Sequence, residues 1–155
     1  MSAAPGGGGG RPGRVAIDHD DYRAEYVGHL ADGRQFFLTT PFIPGAGGDP
    51  GEEFIALYLF DHDGQLIDAK IDAFGPRQTM DRTARRDLRD RRLRQLGPVT
   101  FGRIVIAPFA IKRSGVSFGL LIREPEDSDE PWAVTAEPGD YMAFFEPWDS
   151  GVYDT

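Results

Sequence analysis

The stretch IALYLFDHDGQLID is the first place where residue types and spacing could do chemistry, because an apolar run there ends in Asp61-His62-Asp63-Gly64. A carboxylate at a strand end can attack a phosphoryl group to give an aspartyl-phosphate, and a second carboxylate two residues on can protonate the leaving group. In that reading Asp61 is the nucleophile and Asp63 the general acid/base of a metal-dependent hydrolase. The competing reading is an ordinary turn, since aspartate tolerates tight bends and glycine supplies a positive φ. A second candidate, Gly115-Val116-Ser117-Phe118-Gly119, has the G-x-S-x-G spacing that presents a serine nucleophile on a strand-to-helix turn. Its surroundings oppose that use. The residues Phe118–Ile122 continue as a strand, and His62, the last histidine in the chain, precedes Ser117, whereas the arrangement needs a later one.

Metal and cofactor chemistry has little to work with. The histidines are His19, His29 and His62, two of them inside Asp-His-Asp triplets, and their dispersal makes solvated turn residues the expectation rather than ligands. There is no cysteine, so thiol nucleophiles, disulfides, cysteine zinc sites and iron–sulfur clusters are excluded together. The glycines at 45, 47 and 48 come without the lysine of a phosphate-binding loop. No metal, no cofactor and no catalytic residue is therefore expected, Asp61 and Asp63 standing as the alternative.

Charge is the more informative property. The chain carries 25 acidic and 17 basic side chains, and eight of the arginines fall between Arg77 and Arg94 against three aspartates, a local +5. The remainder then holds 9 − 22 = −13. A solvated helix laced by Asp81 with Arg85, Asp87 with Arg91 and Asp90 with Arg94 accounts for the run, each pair worth about 0.2–0.5 kcal/mol. Contact with a protein partner is the exception to that reading, through Arg85, Arg89 and Arg92. The acidic remainder would repel a nucleic-acid backbone, so no nucleic acid is expected. Five carboxylates between Glu124 and Glu130 mark an exposed loop that could dock on the basic helix of another copy, making a homo-oligomer conceivable. Trp148 and Tyr153 belong to an aromatic-rich stretch, Trp132–Thr155, that either packs on the sheet or offers interface anchors.

The elements that must position these groups follow from pattern. Residues 1–14 read as a disordered glycine-rich leader ahead of a single domain, 15–155. Tyr22–Leu30 and Gln35–Thr40 flank Asp32-Gly33 as a hairpin. A loop over Pro41–Gly51 precedes Glu53–Phe60, an unbroken apolar run expected to be a central strand buried on both faces. In residues 65–74, Ile67, Ala69, Ile71 and Ala73 alternate with Asp68, Lys70 and Asp72, which predicts one buried and one wet face. One helix follows, with Thr79 as N-cap, Asp81 in its first turn and Gly97-Pro98 as its stop. Val99–Ala107, Phe109–Lys112, Val116–Ile122, Trp132–Ala136 and Tyr141–Phe145 have strand composition. Hairpin-linked strands around one helix predict an α+β domain with a mainly antiparallel sheet.

The first fourteen residues lack the pattern of a secretory signal, and no apolar run approaches bilayer length, so a cytoplasmic location without membrane contact is expected. Two family resemblances bear on function. The strand followed by Asp-x-Asp-Gly resembles the first motif of haloacid-dehalogenase-type phosphatases, though Gln65 replaces the usual threonine and the alternating β and α units of that fold are missing. The strings GRQFF, LYLFDHDGQLIDAKI, FGRIVIAPFAIKRSGVSFGLLI and EPWDSGVYDT together resemble small bacterial proteins labelled formate hydrogenlyase regulatory proteins. That likeness spans Tyr22 to the last residue and is most specific at Pro108-Phe109 and Glu146-Pro147-Trp148-Asp149. It implies a cytoplasmic regulatory or accessory role. A non-catalytic regulatory or protein-interaction domain is the leading expectation; a hydrolase using Asp61 and Asp63, or an acidic immunity or inhibitor protein, is the alternative.

Overall fold

A computed structural model describes residues 10–155. Twelve strands and one helix run in the order β1 (Val15–Ile17), β2 (Val27–Leu30), β3 (Gln35–Thr39), β4 (Phe42–Ile43), β5 (Glu52–Phe60), β6 (Leu66–Ala73), α1 (Arg82–Gln95), β7 (Val99–Phe101), β8 (Ile104–Ile106), β9 (Phe109–Arg113), β10 (Val116–Arg123), β11 (Ala133–Glu137) and β12 (Ala143–Phe144). All strand pairings are antiparallel. The larger sheet has the order β4-β5-β3-β2-β7 with β6 on the free edge of β5; the second has the order β12-β11-β10-β9; β1 and β8 form a separate pair. The α+β expectation therefore stands in its coarse form, with the helix a small part of a mostly antiparallel β protein.

The layers follow from the alternation of side chains along β5. Phe54, Ala56, Tyr58 and Phe60 point into the main core, where they meet Val15 and Ile17 of β1, Ile104 and Ile106 of β8, and Phe118, Leu120, Val134 and Ala136 of the second sheet. Ile55 and Leu57 point the other way, joining Leu30, Phe36 and Leu38, and that face is covered by Leu93 of α1 and by Leu96, its C-cap. Each fully buried aromatic, such as Phe36, Phe37, Tyr58, Phe60, Phe118 or Phe144, contributes roughly 1.5–3 kcal/mol by area.

Several local expectations are corrected. Aspartate 81, not Thr79, caps α1: its carboxylate accepts from Ala84 N at 2.9 Å, while Thr79 N closes a preceding turn on the Pro76 carbonyl. Val99–Ala107 is two strands, because the chain leaves β2 at Gly102 and pairs anew with β1. The short strands β1 and β4 arise where the sequence predicted none, β4 lying inside the expected loop. In β6 only Ala69 and Ile71 of the expected inward set face the main core. The register slips between Leu59 and Phe60, so Leu66 takes the inward place opposite Phe60 and Ile67 is left 50% exposed. Residues 1–9 of the expected leader lie outside the described residues; of its remainder, Pro12 is buried and Arg14 Nε donates to the Asp63 carbonyl at 2.9 Å.

Residues 147–155 strap the two ends of the fold together. Ala16 N donates to the Trp148 carbonyl at 2.9 Å, Asp18 N to the Gly151 carbonyl at 3.0 Å, and Ala143 and Asp154 exchange both backbone bonds at 2.8 Å. Trp148 and Tyr153 are half-buried against the main core. The Tyr153 hydroxyl donates to Asp20 and accepts from Arg23 N. Burial, together with the bond to Asp20 and its charge, pushes the Tyr153 hydroxyl up to about 12. A phenol whose folded value lies above the unfolded value near 10 contributes stability that is complete below pH 10 and lost as pH rises towards 12. Tyr153→Phe should lower the unfolding free energy by about 0.5–1.5 kcal/mol at pH 7 and make the decline between pH 10 and 12 shallower, as read from urea melts across that window. Deletion of residues 147–155 should abolish the cooperative transition altogether, because it bares core surface and removes four backbone hydrogen bonds.

Candidate functional site

The motif residues are placed first. Asp61–Gly64 is the turn of the β5–β6 hairpin: Asp61 Oδ1 accepts from Asp63 N and Gln65 N, each at 2.9 Å, and Gly64 N donates to the Asp61 carbonyl at 3.0 Å. Gly64 has φ +91°, and a Cβ there would lie 2.6 Å from the Val105 carbonyl oxygen, so the position requires glycine. One carboxylate oxygen of Asp61 is thus committed to holding a bend between antiparallel strands, and Asp63 is exposed beside it. Ser117 sits within β10, paired with Lys112, not on a strand-to-helix elbow. His62 is exposed in the same turn, His19 stacks on Phe101, and His29 Nε2 lies 2.7 Å from the Arg103 carbonyl oxygen. Among the described residues no group of three or more His, Cys, Asp or Glu side chains could hold a metal ion.

The arginine run behaves differently from the laced helix expected. Asp81–Arg85, Asp87–Arg91 and Asp90–Arg94 are not ion pairs. Arg85 instead reaches Glu53 of β5 at 3.2 Å, Arg77 reaches the same carboxylate at 3.2 Å, and Arg92 reaches Asp72 of β6 at 2.9 Å. The reason is dielectric. The Glu53 side chain is only 6% exposed, and attraction between opposite charges strengthens as water is excluded, whereas a pair along the solvated helix surface gains little. Glu53 shares the face of β5 that carries Ile55 and Leu57, so the helix is fastened by charge at one end and by Leu93 and Leu96 at the other. This explains how a helix with no fully buried residue stays on the sheet. Arg85 and Arg92, two of the three helix residues expected to contact a partner, are therefore also fastenings.

Above that fastening lies a cleft of about 180 Å³ between α1 and the segment that enters β2, lined by Tyr22, Arg23, Glu25, Tyr26, Leu38, Thr39, Thr40, Arg85 and Arg89. Three arginines meet there with one carboxylate, Arg23 and Glu25 from the segment before β2 and Arg85 and Arg89 from α1. Asp20 builds the near wall: its Oδ1 accepts from Tyr22 N at 2.9 Å and Ala24 N at 3.0 Å, while Leu38 N donates to the Tyr26 carbonyl at 2.9 Å. Burial tends to raise the Asp20 carboxyl, but bonds from Tyr153 and from these two amides prevail and hold it below its usual range.

Each arginine of the cleft is held by a different device. The Arg23 guanidinium lies over the Tyr22 ring at 5.1 Å and the Tyr141 ring at 5.5 Å, and its backbone is fixed by Tyr153. Its Nε is buried without a hydrogen-bond partner among the described residues. Arg89 lies over Tyr26 at 5.3 Å, with Asp90 at 3.4 Å. Arg85 is bound to Glu53; burial and the like charges of Arg82, Arg77 and Arg89 lower its proton affinity while Glu53 raises it. At the back of the cleft, Thr39 donates to the Tyr141 hydroxyl at 3.0 Å, and burial drives that phenol well above its ordinary value, so it stays neutral. The arrangement is a preorganised cationic recess, suited to receiving negative charge and carrying no nucleophile–base pair. Sequence reasoning named Arg85 and Arg89 and missed Arg23 and Glu53. A carboxylate at the head of the apolar run Glu53–Phe60 was the available signal for the latter.

No protein-family model, curated protein or solved structure matches the chain.

Glu53→Gln should lower the unfolding free energy by about 1–3 kcal/mol, because it leaves two arginines facing a neutral amide at a largely buried position. Amide exchange over residues 85–93 should accelerate relative to β10, while Arg94→Gln, on the outer side of the helix, should change stability by no more than about 0.5 kcal/mol. Denaturant melts with exchange mass spectrometry check both.

Proposed function

We propose that this protein is a non-catalytic, cytoplasmic regulatory or protein-interaction domain that receives an acidic segment of a protein partner along α1 and the cleft beside it. The observation that carries the reading is the convergence of Arg23, Arg85 and Arg89 on one recess whose lining contains a single carboxylate, Glu25. Arg82, Arg85, Arg86 and Arg89 stand at positions i, i+3, i+4 and i+7 and so share one side of the helix, a stripe leading into that recess. The −13 balance of the other residues disfavours a nucleic-acid backbone as the anion, since an extended phosphate chain would run over repelling surface. A protein segment needs to meet only the stripe. The resemblance to formate hydrogenlyase regulatory proteins supports a regulatory purpose for such a contact, with no nucleic acid or membrane involved.

The reading predicts a partner whose capture depends on this stripe. Affinity capture from native cells with the wild-type protein and with Arg86→Glu/Arg89→Glu, both verified as folded by circular dichroism, should retain a protein on the first that is reduced at least tenfold on the second. Equal retention of every captured protein by both would end the proposal.

A further inference from the structure

We propose that the Arg23–Arg85–Arg89 recess is a seat for one phosphate group, supplied either as a free phosphorylated small molecule or as a phosphorylated side chain of the partner segment. The proposal rests on the binding reading above and specifies the chemistry of the group that anchors it.

Charge balance comes first. The lining holds three guanidiniums and one carboxylate, 3 − 1 = +2. Counting also Arg77 with Glu53, Asp90 beside Arg89 and Asp20 of the near wall gives 4 − 4 = 0, so the positive surplus is confined to the lining. Against the +2 of the lining itself, a phosphate monoester, which carries about −1.5 to −2 at neutral pH, is a closer match than a single carboxylate. Geometry comes second. Guanidiniums offer paired donors suited to phosphate oxygens, and fixing them in advance removes much of the ordering cost of binding. Here the fixing is visible: Arg23 lies between two phenol rings, Arg89 lies over a third, and Arg85 is tied to Glu53.

Size comes third. At ~30 Å³ per water, about 180 Å³ holds roughly six water molecules. That is room for one oxyanion and the first atoms that bear it.

The fourth observation is Arg23, whose Nε shares with Arg92 Nε and the Tyr58 hydroxyl a buried position without a hydrogen-bond partner among the described residues. A buried donor normally has a partner, and leaving a charged one without an acceptor is costly. Arg23 makes no ion pair among the described residues, and its Nε is buried and unbonded although Asp20, three residues away, gives its carboxylate to Tyr153 and two backbone amides. A cation that pairs with none of the carboxylates beside it in the chain and is backed by aromatic faces is arranged for an anion that arrives from outside.

The test titrates the full chain at constant ionic strength with inorganic phosphate, with O-phosphoserine in a short neutral peptide, and with the same peptide carrying glutamate. Calorimetry and amide chemical shifts are the readouts. Saturable one-to-one binding of phosphate is expected, weakened at least tenfold by Arg23→Gln and by Arg89→Gln and less than twofold by Arg94→Gln, which removes the same charge from the far side of α1. Arg23→Lys should recover only part of the loss, since it restores charge without the paired donors. Phosphopeptide binding tenfold tighter than phosphate would assign the group to a partner protein, and equal binding would assign it to a small molecule. Loss of the same size in all three glutamine variants, or no saturation by either phosphate-bearing probe, would overturn the seat. In the latter case, glutamate-peptide binding that Arg89→Gln abolishes would leave the interaction reading standing, and its absence would remove both.

Discussion

Everything in this fold is referred to one strand that must be buried on both sides. Because β5 alternates Phe54, Ala56, Tyr58 and Phe60 on one face with Ile55 and Leu57 on the other, neither face can be left to water. The second sheet and the β1–β8 pair satisfy the first face; α1 satisfies the second. A strand of this kind is usually found within parallel sheets covered by helices on both sides. Here the same demand is met in an antiparallel sheet by unlike covers, β-structure on one side and a helix on the other. The unlikeness has a consequence for charge, because a sheet face opposite another sheet can be wholly apolar, whereas the helix-covered face ends in Glu53 and borders Asp72.

Those two carboxylates determine which way the arginines of α1 turn. A helix with only Leu93 and Leu96 against the second core would gain little from apolar burial, and its propensity alone would not hold it in place. Ion pairs at the sheet margin provide the remaining attachment and draw basic side chains inwards. The outward side of α1 keeps Asp87 among its arginines, while the side towards the Tyr22–Tyr26 segment presents Arg85 and Arg89, with Asp90 beside Arg89. The cationic recess is thus an extension of the packing solution: the residues that dock the helix also collect positive charge where solvent is already partly excluded.

How much of this the sequence disclosed depended on the range of the interaction. The β2–β3, β5–β6 and β9–β10 hairpins were legible because turn chemistry and period-two alternation are local, as was the single helix with its glycine stop. The two-residue strand β4 and the three-residue strand β1 were not, since so few residues carry no periodicity. Nor was the division of Val99–Ala107, where composition is continuous and only the partner changes. The site divides in the same way. A run of arginines announces itself, but its register against Glu53 and Asp72 is decided by tertiary packing. Arg23 lies in the part of the expected strand Tyr22–Leu30 that folds as a turn ahead of β2, and its character comes from Tyr141 and Tyr153, residues more than a hundred positions away.

The fate of the two catalytic-looking motifs shows why such patterns need topology before they carry chemistry. Asp-x-Asp-Gly after an apolar strand serves phosphoryl transfer when the strand belongs to a parallel sheet, because the crossover that follows leaves the strand's end open as the rim of a crevice. In an antiparallel hairpin the next strand returns alongside at once, and the same aspartate is needed to accept the amides that make the return possible. The glycine that would leave room for a substrate is instead pressed against the Val105 carbonyl. Residue types at Asp61–Gly64 are compatible with both outcomes; the direction of the following strand decides between them. By the same logic the recess beside α1 carries no signature in the sequence. It is formed where a turn, a strand end and a helix face meet, and three rings and one buried carboxylate hold its cations in place.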